Sequence, residues 1–513
     1  MKRGILTRSM AMALVMCSLT TTLSGCGKKE ASVETTTGAG TRQETSGSKK
    51  EEEASRAEVV KLFLPMNRDI SEDSYAVKEI EKVTNTDLEI MQVTTSELDK
   101  KLNILLASGD IPDIIQCESE TMEAELLESG ILLPIDEYWD KYPNIKNART
   151  DEIWDLMRYN DGKIYSIGIK NPNPLFITSY RKDWLDKFGM EVPQTIDEYC
   201  EFARKVALED PDGNGQKDTF AFGGHKVIDV YQFDHIFGAY GALPNYWMKK
   251  DGELVNGSVQ PEMKEALKTL NELYTQGVID PEFITDDSKR WQQKVKTGVY
   301  GAGVTKIHIF DKNNWNNYYG TFKQACPDGE LVYGPVLQGA SDNPVGIRRD
   351  SDRGWIRTFV YKDSPNLDAA LRLLDYLMSE EGNRFVQYGK EGEHYKWEDE
   401  KLVALMSDEE LQKLDINKIQ IGNTVLFDHA SDELLDAFEY SKTISIANPA
   451  DGIFIPELTD IYPKLKEITN IRYIEMIVGQ TPIDTGFEAF VEEWNSRGGQ
   501  ELTKAINEAY KNK

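Results

Sequence analysis

Asp210, Asp212, Asn214, Gln216 and Asp218 occupy positions 1, 3, 5, 7 and 9 of one loop, with Gly215 at position 6. Calcium takes about six to eight hard oxygens, and this alternate spacing winds oxygen donors around one centre while the glycine permits a sharp turn. Gln216 would contribute its backbone carbonyl. Position 12 is Ala221, where an EF-hand carries a bidentate glutamate, so a paired EF-hand is not expected. The competing reading is a solvated turn, since Asp-Pro-Asp-Gly-Asn-Gly is rich in turn formers. Catalytic signatures are missing. His225, His235, His308, His394 and His429 form no HExxH pattern, no cysteine pair has zinc spacing, and neither GxSxG nor GxxxxGK[ST] occurs. With 87 acidic residues, close carboxylate pairs arise by chance and do not argue for a glycosidase. The expectation is a structural metal and no enzyme.

These residues need a scaffold, and the pattern of apolar residues supplies one. Val59–Leu64 reads as a buried strand, a helical pattern runs to about Thr84, and Asp87–Val93 alternates polar and apolar, the period of a strand. A helix near Ser96–Ser108 and a turn and strand over Gly109–Ile115 follow. Strand–helix–strand–helix–strand predicts a parallel sheet with helical crossovers, which binds ligands beyond the carboxyl ends of its strands. Thr195 and Glu198 form a capping box, after which Ile196, Tyr199, Phe202 and Val206 make one buried stripe ending at the Asp210 loop. Further helices are expected at 261–276, 366–379 and 498–511.

The 513 residues allow about two to four domains, and 40% hydrophobic content is enough for a large core. The net charge of −28 argues against a nucleic-acid binder, since phosphate recruits basic surface. Five cysteines exclude a disulfide scaffold. Residues 1–25 read as a signal peptide: Lys2, Arg3 and Arg8 precede the apolar run Met10–Leu19, which is too short to span a bilayer. Leu23-Ser24-Gly25-Cys26 looks like a bacterial lipobox, which implies that Cys26 becomes a lipidated, palmitate-bearing N-terminus. Residues 27–57 hold one large aliphatic, Val33, and no aromatic, so they read as a tether of roughly 30 Å average reach.

The order of segments resembles the bacterial extracellular solute-binding proteins, the lipid-anchored receptors of ABC sugar importers. The resemblance rests on stretches spread over the chain, among them ASGDIPDII (107–115), RYNDGKIYSI (158–167), SYRKDWLDKFG (179–189), GALPNYWMKKDGEL (241–254) and GKEGEHYKW (389–397). It implies an α/β, two-lobed, periplasmic-binding-protein-like (type II) fold with a hinge and a central ligand cleft. The crossings are expected near 170–178, 300 and 360. That gives 58–175 plus 300–360 as lobe one, and 176–299 plus 361–513 as lobe two. The implied protein is a monomer on the extracytoplasmic face of a Gram-positive membrane. It closes on a carbohydrate and hands it to a permease. A peptide or sugar-phosphate receptor, or an anchored glycan-degrading enzyme, remains the alternative. Relatives with a calcium loop of this type carry an acid just after position 9. Thr219 stands there, which weakens the expected coordination.

Pyranose rings lie flat on aromatic rings, and amide and charged groups take the hydroxyls. The candidate platforms are Tyr231, Tyr246, Trp247, Trp291, Trp355, Tyr395 and Trp397. Gln116 and Glu118 are added because relatives place solute contacts at this strand end. The acidity of the whole chain disfavours a polyanionic solute, unless local cleft charge overrides it.

Overall fold

The computed structural model describes residues 57–65, 69–170, 173–226, 231–313, 318–399 and 401–512. Residues 1–56, which hold the expected signal segment, Cys26 and all but the last residue of the expected tether, lie outside the described residues. Among the described residues no helix is long and apolar enough to cross a membrane.

The first sheet grows from the strand Glu58–Pro65, whose apolar run is buried along most of its length. It pairs in parallel with Thr86–Val93 and with Ile114–Cys117. The helices Tyr75–Thr84 and Leu98–Ser108 make the crossovers. Ser74 caps the first of these, its hydroxyl accepting from the Val77 N–H, and Asn85 closes it in the left-handed region at φ 51°. The parallel reading holds for these three strands. Two more complete the sheet in antiparallel sense: Arg357–Val360 on Ile114–Cys117, then Ser166–Gly168. Val60, Leu62 and Leu64 pack on one face with Leu373, Leu377, Phe385 and Ile416. Phe63, Ile115 and Phe359 pack on the other with Leu98 and Leu102.

The second sheet centres on Phe176–Arg181, antiparallel to both Ala302–Lys306 and Leu331–Tyr333. Its core joins Tyr180, Tyr199, Phe202, Phe222, Phe237 and Leu267 with residues from the far C-terminus, including Tyr473, Phe490 and Trp494. The Thr195 capping box forms in full, and Ile196, Tyr199, Phe202 and Val206 are buried as their spacing predicts. The helices Glu262–Thr275, Leu367–Met378 and Gln500–Asn512 fall where the pattern places them.

The strand pairing corrects the expected division of the chain. Residues 302–333 belong with the second sheet, because their hydrogen-bond partners are Phe176–Arg181. Residues from Arg357 to about Ile421 belong with the first, because the 367–385 helices cover its face. On this pairing the described chain leaves the first sheet after Gly168, returns to it after Arg348 and leaves it again after about Ile421, while residues near 300 stay with the second sheet. The three crossings are bonded side by side. The Ile169 N–H donates to the Ile356 carbonyl (3.0 Å), Lys170 N–H to Asn423 (3.0 Å), and Val425 N–H to Lys170 (2.8 Å). The Arg149 guanidinium clamps them, donating to the carbonyls of Gly168 (2.7 Å) and Gly422 (2.8 Å) and to Thr424 Oγ1 (2.7 Å). Burial without a carboxylate partner pulls its pKa down to about 10. The segment before Arg357 approaches the end of the strand Ser166–Gly168 so closely that a Cβ at Gly168 would meet the Arg353 carbonyl oxygen at 1.8 Å. Only glycine fits there.

Candidate functional site

Between the lobes lies a cavity of about 320 Å³. The first lobe contributes Glu120 and Arg357, the crossing contributes Arg349 and Arg353, and the second lobe contributes Tyr246, Trp247 and the loop 448–459. Each group arrives from the end of a regular element. Glu120 opens a helix whose cap is Ser119. Arg357 begins the antiparallel strand of the first sheet. Trp247 begins the hairpin Trp247–Lys250 with Glu253–Asn256.

The chamber is arginine-rich. Arg348 is fully matched, its Nη2 and Nε lying 2.7 Å and 2.9 Å from the two oxygens of buried Asp234. Arg353 and Arg357 share one carboxylate: Arg353 Nη2 is 2.9 Å and Arg357 Nε 2.6 Å from fully buried Glu123. The Tyr159 hydroxyl also donates to Glu123. Burial, and then the Glu123 charge, push the Tyr159 pKa far up, so it stays a donor. The Arg353 guanidinium sits 5.6 Å from the Tyr159 ring and 5.7 Å from Phe454, rings of opposite lobes. Phe454 and Tyr159 meet edge to face at 5.6 Å, joining the lobes. Asp350 is held above the usual carboxylate range by burial, although Lys306 and Arg348 act against this. A second cavity of about 460 Å³ lies on the far side of Phe454, lined by Tyr159, Tyr165, Leu132, Pro134 and Lys362.

The structure sorts the sequence-derived candidates. Tyr246 and Trp247 line the chamber while packing into the second core. Trp355 lies in the second crossing and is 45% exposed. Glu118 accepts from Arg357 Nη2 through its backbone carbonyl (3.1 Å). Gln116 is buried in the sheet, donating to Thr358 Oγ1 (3.0 Å) and the Gln420 carbonyl (2.8 Å). Tyr231 stacks on Phe176 at 3.7 Å, and Trp291 is 2% exposed against it, so their rings are committed to packing. Tyr395 and Trp397 belong to a separate hairpin, with Trp397 under Arg384 at 5.3 Å, and do not line the chamber. Sequence reasoning missed Phe454 and the arginines that line the chamber, and Tyr159, which holds Glu123 behind them. The signal present was four arginines within residues 348–357 of an acidic chain.

The Asp210 loop gathers its oxygens. Gly215 N–H donates to Asp210 Oδ2 (3.0 Å), and Asn214 Nδ2 donates to Asp212 Oδ2 (2.9 Å) and Asp218 Oδ1 (3.1 Å). Gln216 N–H donates to Asn214 Oδ1 (2.7 Å). The Asp210 and Asp212 carboxyls hydrogen-bond each other, which lowers the first. Burial, and then this bond, raise the second. Asp210 Oδ1 is buried with no hydrogen-bond partner. Two adjacent carboxyls, one with an orphaned buried oxygen, suit a cation. Thr219 departs from its expected role: its hydroxyl is buried and donates to the Val206 carbonyl (2.9 Å). A second acidic cluster, Asp280, Glu282 and Asp286, already holds a cation of its own. Lys294 Nζ lies 2.6, 2.8 and 2.6 Å from the three carboxylates.

Two α/β lobes joined by three bonded crossings around a polar chamber define a receptor that takes its ligand between the lobes. The chain belongs to the bacterial extracellular solute-binding protein family, whose profile matches residues 68–384. It is 28% identical over 462 residues to the polygalacturonan/rhamnogalacturonan-binding protein YtcQ of Bacillus subtilis, covering 85% of this chain and 88% of that one. Its fold is similar to that of an alginate-binding protein, AlgQ2, solved without calcium ion (TM-score 0.71, 17% identity, 89% of this chain and 98% of that one). It is also similar to the Streptococcus pneumoniae ABC-transporter substrate-binding protein FusA, solved as an EF-hand mutant in complex with fructo-nystose (TM-score 0.70, 20% identity, 89% and 99%). The expected two-lobed class and the family resemblance are thus borne out.

Proposed function

We propose that this protein captures an oligosaccharide between its lobes and delivers it unaltered to an ABC permease. The single observation that carries the reading is the chamber itself. Its walls come from both lobes and from the crossings, so lobe closure removes the solute from water and completes its hydrogen bonds in one step. A ligand can shift the lobes only by as much as it prefers the closed state, and contacts from both sides supply that preference. The relatives' names include an acidic polymer and a neutral fructan, and both kinds are carbohydrates.

Cys26 would carry the lipid, with residues 27–57 holding the body off the extracytoplasmic membrane face as a monomer. In the Asp210 loop, the carboxylates of Asp210, Asp212 and Asp218, the Asn214 side chain and the Gln216 carbonyl would hold calcium. Bound there, the ion would supply positive charge among the clustered carboxylates and tie the helix 196–208 to the second sheet. It has no part in solute chemistry.

The test is a thermal-shift screen of oligosaccharides against peptides, followed by small-angle scattering and mass spectrometry of the recovered ligand. Stabilisation, compaction and an unaltered ligand are expected for at least one oligosaccharide. Stabilisation by peptides alone would move the reading to another solute. A cleaved product would make the protein an enzyme.

A further inference from the structure

The chain as a whole is strongly acidic, yet its chamber is not. Five cations, Arg348, Arg349, Arg353, Arg357 and Lys466, line it against Glu120, Asp350 and Asp451. Where the acids point matters more than their number. Asp451 accepts from Ser351 Oγ (2.5 Å) and the Asp352 N–H (3.1 Å), and with Glu120 it also lends negative charge to Arg353, so the unmatched cation is Arg349. Asp350 is buried and faces Lys306 as well as Arg348. Glu123 is one negative charge between two guanidinium groups, which leaves that triad with a net positive charge at a nearly buried place.

Arg349 is the least matched of the four arginines. Its nearest carboxylate, Asp352, is 3.9 Å away, beyond a hydrogen bond, and its side chain remains 32% exposed. Nε of Arg349 and Nε of Arg353 are buried with no hydrogen-bond partner. Arginine presents a planar fork that matches a carboxylate bidentately, and a half-buried cation with only a distant carboxylate gains from an anion that closes on it. Hydroxyls of a neutral sugar would meet the donors but leave the charge. The −28 of the whole chain does not reverse this, because exposed charges are screened beyond about 8 Å at physiological salt.

We infer that the solute is a carboxylate-bearing oligosaccharide, a hexuronate chain, whose carboxylates are received by Arg349 and the Arg353–Arg357 pair. The inference rests on the capture reading above and narrows it to one substrate class. Calorimetric titration of the full mature chain with trigalacturonate, galactotriose and a galactose phosphate tests it, at low and at physiological salt. Trigalacturonate is expected to bind at least about tenfold tighter than the neutral trimer, with the preference shrinking as salt rises. Arg349→Met should reduce the acidic-to-neutral affinity ratio by about tenfold, and Arg349→Lys should restore part of it. Equal or tighter binding of galactotriose, or a ratio untouched by salt and by Arg349→Met, overturns the uronate assignment while leaving oligosaccharide capture standing. Preference for the phosphate over the uronate overturns it in favour of a phosphorylated sugar. Failure of every oligosaccharide in the wider screen removes the capture reading itself.

Discussion

Glu123→Gln isolates the charge at the centre of the cleft. The wild-type carboxylate holds Arg353 at 2.9 Å and Arg357 at 2.6 Å, accepts the Tyr159 hydroxyl, and is completely buried. The amide keeps the shape and one acceptor but removes the carboxylate that both guanidinium groups share, leaving only the weaker influence of Asp451 and Glu120 on Arg353. Removing one member of a buried ion pair costs about 3–5 kcal/mol. The retained neutral acceptor recovers about 1 kcal/mol of that. A loss of about 3 kcal/mol is therefore expected, which in a lobe of this size lowers the melting point by roughly 6–12 °C. Calorimetry and urea unfolding measure it without ligand, with Trp139 and Trp154 reporting on the first lobe's core. The companion variant Glu123→Leu/Arg353→Met/Arg357→Met removes all three charges. Apolar replacement of a buried ion triad is often neutral or stabilising, so this variant should regain most of the loss. A Glu123→Gln protein within about 1 kcal/mol of wild type would refute the account. A triple variant as unstable as the single one would show that packing, not charge, set the cost.

Calcium at a hundred times its dissociation constant should add about 2.7 kcal/mol to wild-type stability. Asp212→Ala should abolish that response, and identical melting in calcium and in chelator would reject the metal. Burial holds His308 down to about 4 and His235 down to about 3. The unfolded chain takes up these protons near pH 6.5, so it binds more protons than the folded state between there and the folded values. Their contribution is whole above pH 6.5 and is lost as pH falls toward 4 for His308 and toward 3 for His235, on the order of 3 and 5 kcal/mol respectively. His308→Gln should flatten that limb of the stability curve, and an unchanged slope would contradict the assignment. Trp291→Ala should cost about 3–5 kcal/mol of stability and leave solute affinity nearly untouched, whereas Trp247→Ala should also weaken binding by about tenfold. Equal affinity losses from both would place the solute elsewhere than the chamber.

What could be read from the sequence was whatever depends on neighbours along the chain. The first three strands and their helices follow from local period, the Thr195 box from a four-residue pattern, and the convergence of the Asp210 loop from alternate spacing. The crossings did not yield to that reasoning. Ala302–Lys306 pairs with Phe176–Arg181 across more than a hundred residues, and nothing in its own composition says which sheet will take it. Aromatic type was equally mute: Trp291 and Trp247 are both buried, and only the fold places one against Tyr231 and the other on the chamber wall. The charge of the site shows the same limit most sharply. The arginines at 348, 349, 353 and 357 stand in plain view, but a total over the whole chain averages them against 87 acids without regard to place. Recognition acts over hydrogen-bond distances and association over a Debye length. The sign that a solute meets is therefore set by which carboxylates the fold brings beside those guanidinium groups. Glu123 is shared by two of them, Asp234 is spent on Arg348, and Asp352 stops short of Arg349. An acidic protein can in this way carry a cationic binding site.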